Sequence, residues 1–119
     1  ASSLGPRNQL VAMVRAIVLF HVEYRTLAIV SNAEVHVLDP ELAKPSMDLR
    51  DQSVQLLKDV LERGLQLKEF NFLDLTLTMT VIASLGARVA NWYTPDFHLS
   101  ADEVADQIAG IACRIVGAP

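Results

Sequence analysis

Three histidines, His21, His36 and His98, and a single cysteine, Cys113, are the residues best suited to hold a metal or activate a nucleophile. Metal sites gather ligands at short spacings such as Cys-x-x-Cys or His-x-x-x-His. None of the four has another of them at such a spacing, so neither a metal nor a cofactor is expected. One cysteine allows no internal disulfide, which fits a reducing, cytoplasmic setting, and Cys113 is expected to act as a small buried apolar residue. Ser31, Ser53, Ser84 and Ser100 lack a nucleophile-elbow context, and no glycine-rich phosphate loop is present, so the chain is not expected to be an enzyme. His36 and His98 fall in loops or at helix ends and are expected to meet water. His21 differs, because it lies on an apolar face, where it either bonds a neighbouring backbone group or orients a ligand in a cavity.

These side chains must be positioned by helices. Gly5 and Pro6 open the first, since proline is tolerated where a helix has no use for the N–H, and Leu10, Val14, Ile17, His21 and Tyr24 share its apolar face. A second, shorter segment, "TLAIVSNAEVHVL" at residues 26–38, follows almost without a gap. Asp39 and Pro40 start a third element, and Pro45 is expected to interrupt it with a short turn before a main helix begins near Met47. Leu49, Ser53, Leu56, Leu57, Val60, Leu61 and Gly64 form the expected buried side of that helix, with Asp51, Lys58, Asp59 and Glu62 toward water.

The fourth helix is expected over residues 72–93, and after Asp74 its only charge before Asp96 is Arg88. The alternation of Thr76, Thr78 and Thr80 with Leu75, Leu77 and Met79 looks strand-like, but the uncharged helical pattern that follows overrides it. Thr78 falls with the large stripe, where it could face a cavity, or could return its hydroxyl to the preceding turn as packed threonines do. Val81, Ile82, Leu85, Val89 and Trp92 form a large apolar stripe, and Ala83, Gly86, Ala87 and Ala90 a small one. The last helix, "HLSADEVADQIAGIACRIV", opens with a reciprocal capping box between Ser100 and Glu103 and repeats the arrangement. Val104, Ile108, Ile111 and Ile115 are its large stripe, and Ala101, Ala105, Ala109, Ala112 and Val116 its small one. In both helices the large stripe reads as the face toward the domain's own core, and the small face beyond it can pair with the same two helices of a second copy as a four-helix bundle. Alternatively, both are central helices of a monomer.

The chain has 119 residues, 51% of them hydrophobic, with a net charge of −4. That length suits one domain with a real core. The acidic balance and the lack of any Lys/Arg cluster argue against DNA binding by this chain alone. The uncharged run at residues 75–87 is shorter than a bilayer requires, so no membrane span is expected, and "ASSLGPR" reads as a linker or truncated edge rather than a signal peptide.

Four stretches in order, "EVHVLDPE" (34–41), "LRDQ" (49–52), "VLERG" (60–64) and "NWYTPDFHLSADEVADQI" (91–108), resemble the C-terminal ligand-binding and dimerisation domain of TetR-family transcriptional regulators. The similarity is to the branch whose members often respond to acyl-CoA thioesters or other lipid metabolites. It implies a five-helix all-α domain over residues 6–116, preceded by a linker at 1–5, with no N-terminal helix-turn-helix domain in this chain. It also implies a homodimer built by the last two helices, through Ala83, Gly86, Ala87, Ala90, Ala105, Ala109, Ala112 and Val116. A hydrophobic small-molecule effector would lie among Leu10, Val14, Ile17, His21, Leu56, Val60, Thr78, Ile82 and Leu85, and would modulate operator binding by the missing domain. The alternative is a structural dimerisation module that senses nothing. That branch commonly carries glycine where this chain has Lys68 and Phe97, so the two connecting loops are expected to differ in shape.

Overall fold

The structure, a computed structural model, describes residues 5–25 and 40–118. Among them are four α-helices and one short helical turn, and no strand: α1 (Pro6–Glu23), α2 (Pro40–Gln66), α3 (Leu75–Ala87), the turn α4 (Val89–Trp92) and α5 (Ala101–Ile115). The helix expected at residues 26–38, with Ser31, His36 and the Asp39 cap, lies outside the described residues. No described helix is long and apolar enough to cross a membrane.

Two boundaries differ from expectation. Pro45 does not break α2, which runs as one helix from Pro40 to Gln66. Proline removes a single amide donor, and over 27 residues the remaining ladder carries the helix past that gap. The expected helix over residues 72–93 is instead two pieces. It begins at Leu75, where Asp74 caps it by accepting from the Leu77 N–H at 2.7 Å, and it ends at Ala87. Arg88 separates it from α4, and the Asn91 N–H turns back to the Arg88 carbonyl at 2.9 Å.

Two helices stop in the same way. At the end of α5 the Gly117 N–H donates to the Arg114 carbonyl and the Ala118 N–H to that of Cys113, a Schellman turn with Gly117 at φ 70°. At the end of α2 the Lys68 N–H donates to the Leu65 carbonyl and the Glu69 N–H to that of Gly64, with Lys68 at φ 59°. Lysine thus occupies a left-handed position that favours glycine.

The core lies between α1 and the other helices. Leu10, Val14 and Val18 of α1 are sealed against Leu57 and Leu61 of α2, Ile82 and Val89, and the α5 residues Val104, Ala105, Ala109 and Ala112. α1 and α5 form the most extensive helix pair. Arg15 of α1 forks across it, donating to Asp102 at 2.7 Å and also to Asp106. Further hydrogen bonds fix the ends of α1, from Arg25 Nε to the Ala90 carbonyl and from Arg63 to the Gln9 side chain, each at 2.7 Å.

Candidate functional site

The nine residues expected around a ligand do not form one lining. Leu10, Val14 and Ile82 expose 1% or less of their surface. A side chain beside a void large enough for water would show accessible area, so these three belong to packed core. Val60 and Thr78 are nearly sealed. Leu56 is 60% exposed, because the buried side of α2 runs through Leu57, Val60, Leu61 and Gly64 and Leu56 sits beside that stripe; Ser53 is exposed for the same reason. Ile17, His21 and Leu85 are half-buried, and Leu85 faces a different region, described below.

His21 Nδ1 lies 2.7 Å from the Ile17 carbonyl of its own helix. A carbonyl can only accept, so Nδ1 carries the proton, and Nε2 of the neutral ring is left as an acceptor. The neighbouring Phe20 meets the ring edge-on at 5.4 Å.

The small-residue stripes are also placed differently from expectation. Ala90, Ala105, Ala109, Ala112 and Val116 are buried within the protomer, as is Gly86. A Cβ added at Gly86 would come within 2.5 Å of Ile17 on α1. Ala83 and Ala87 are half-buried, and Ala83 packs on the core. The reason is steric fit: α1 carries branched side chains, and alanine and glycine faces on α3, α4 and α5 let its backbone come close while those side chains fill the space. Six of the eight, Gly86, Ala90, Ala105, Ala109, Ala112 and Val116, are thus taken up in packing within the protomer.

The other side of the same helices is apolar and open. Val81 is 39% exposed and Ile111 43%, with Leu77 and Trp92 also exposed. Between α3 and α5, Val81, Trp92 and Ile111 border an open groove of about 700 Å³ whose lining also includes Leu85, Ile108, Phe97 and Leu99. Two of the polar side chains in its lining are spent on the backbone. Thr80 donates its hydroxyl to the Thr76 carbonyl at 2.8 Å and Ser84 to that of Thr80 at 2.7 Å. Gln107, Arg88 and the exposed His98, whose ring lies 4.5 Å from that of Phe97, are the remaining polar side chains of the lining. Sequence reasoning placed Val81, Trp92 and Ile111 on stripes facing the domain's own core. The missed signal was that Gln107 and Ile111, four apart on α5, lie opposite the alanine face.

The capping box at the start of α5 is present as read from the sequence. Ser100 Oγ accepts from the Glu103 N–H and Glu103 Oε1 from the Ser100 N–H, each at 3.1 Å. Hydrogen bonding from the Ser100 backbone, then from its side chain, holds the Glu103 carboxyl below the usual glutamate range. The Arg15 guanidinium is held above its ordinary value by its hydrogen bond to Asp102 and by the charges of both aspartates. Cys113 is buried on α5. Among the described residues no three His, Cys, Asp or Glu side chains come together as metal ligands would.

The described residues thus form an all-helical domain in which α1 packs along the last helix. Residues 3–116 match the family described as "Tetracyclin repressor-like, C-terminal domain", and the chain belongs to that family of transcriptional-regulator domains. Its structure is similar to that of a bacterial regulatory protein in the tetR family from Rhodococcus RHA1, with a TM-score of 0.88 at 25% identity. The similarity covers 98% of this chain and 62% of the Rhodococcus chain. No curated protein matches the sequence.

Proposed function

We propose that this domain is the sensing and dimerisation half of a TetR-like regulator, joined in the full protein to a separate N-terminal helix-turn-helix domain that reads operator DNA. It works in the cytoplasm and catalyses no reaction. The observation that carries the reading is the apolar outward side of α3 and α5, where Val81, Trp92 and Ile111 stand exposed in the lining of a groove. Contiguous apolar surface on a small acidic domain marks an association site, and two such helices from each of two copies make a four-helix bundle. The interface should bury at least ~1,200 Å² in total. Sedimentation equilibrium tests this: the wild type should be dimeric at micromolar concentration and Val81→Asp monomeric with unchanged helical content. A monomeric wild type would overturn the reading.

The effector is a mostly hydrophobic small molecule, of lipid, steroid or acyl-chain type. The inward stripes of α1, α2 and α3 offer only Thr78 and His21 as polar groups, and a compact charged ligand could not be desolvated there without compensation. With Leu10, Val14 and Ile82 closed off in the core, the effector would reach Ile17 and His21 at the far end of α1, where His21 Nε2 would accept one hydrogen bond from it. In thermal-shift measurements fatty acyl or steroid compounds should raise the melting temperature, and His21→Leu should reduce that response by about 1 kcal/mol. The closed core between α1 and α3 favours a second reading, a dimerisation module without a ligand, and no shift with any compound of these classes would leave that one standing.

A further inference from the structure

We propose that Gly110 is where the α5 helices of two copies cross, backbone against backbone, and that the copies run antiparallel there. The inference rests on the dimer reading above and adds its geometry. Glycine is the poorest helix former after proline, so a glycine inside α5 needs a reason. Two other helical glycines have one within the protomer: a Cβ at Gly64 would collide with the Phe70 ring, and one at Gly86 with Ile17. A Cβ at Gly110 would meet nothing within 4 Å. Gly110 shares its face with Glu103, Gln107 and Arg114, at steps of four, three and four residues, directly opposite the alanines buried against α1. The next residue, Ile111, continues this face into the groove.

Charge sets the direction. Glu103 stands exposed in the first turn of α5 and Arg114 exposed in the last. A parallel crossing would put Glu103 against the partner's Glu103 and Arg114 against the partner's Arg114. A two-fold axis perpendicular to α5 near Gly110 instead lays the Glu103 half along the partner's Arg114, with opposite charges facing. A missing Cβ lets two helix backbones approach more closely than any other residue allows.

Substitution at Gly110 separates this from a glycine that merely faces water, because the two predict different signs. Alanine is the better helix former and meets nothing in the protomer, so Gly110→Ala should raise the melting temperature measured at concentrations where the protein is monomeric. If two backbones meet there, the same change should weaken dimerisation, and Gly110→Leu should weaken it by at least about tenfold in a sedimentation dilution series. A Gly110→Leu protein that dimerises as tightly as the wild type would overturn the proposal. Should Val81→Asp dissociate the dimer while Gly110→Leu does not, the dimer reading stands and the crossing point is wrong; a monomeric wild type instead removes the reading on which the proposal rests.

Discussion

Lys68 holds a left-handed backbone conformation at the end of α2 because the turn's hydrogen bonds to Leu65 and Gly64 require it. That conformation is strained for any residue with a Cβ. Replacing Lys68 by Gly should therefore stabilise the domain by about 0.5–1 kcal/mol, the relief of strain being partly offset by the freer unfolded chain. Denaturant unfolding would read this as a higher midpoint with an unchanged slope. Glu103 gives a second prediction. Its carboxyl is held below the usual range by the Ser100 cap, so the capping contribution is present at neutral pH and is lost as pH falls below the ordinary glutamate value of about 4. Glu103→Gln, which can still cap but carries no charge, should flatten the acid limb of a stability–pH curve. The Ser100–Glu103 box is a local signal and was legible in the sequence; Lys68 stood out only against the glycine of the branch the chain resembles, and the turn there keeps the left-handed form a glycine would take instead of the different shape expected. Asp74 was equally readable as a cap and would have placed the start of α3 at Leu75.

Helix faces were harder to read, and α5 shows why. Its pattern announces two apolar stripes, hence two neighbours, but periodicity says nothing about which neighbour belongs to the same chain. Size pointed the wrong way, since large residues suggest a core and small ones a close partner helix. In the fold, α1 supplies the bulk with Leu10, Val14 and Val18, and the alanines of α5 receive it. Leu56 was misassigned for a related reason: one step around α2 separates it from the sealed Leu57. The correction changes what substitution should do. Ala109→Arg would drive a cation into the α1–α5 packing, so the expected result is a protomer destabilised by at least about 3 kcal/mol, seen in chemical denaturation, rather than a folded monomer.

For the molecule as a whole, the all-helical class, the first helix and the two closing helices could be read from pattern and resemblance together. The sealed centre could not, because whether inward stripes meet around a void or fill it depends on side-chain interdigitation that no periodicity encodes. In the dimer proposed above, a second copy covers the outward side of α3 and α5. Trp92, the single tryptophan of the chain, stands 45% exposed in the lining of the groove there. Its fluorescence emission, followed through a dilution series, therefore reports on the surface itself. With a second copy over the groove, the maximum should be blue-shifted at high concentration and move to the red on dilution, along the same curve as the dimer fraction from sedimentation. A maximum that stays constant while sedimentation shows the copies separating would place the interface elsewhere and contradict that proposal.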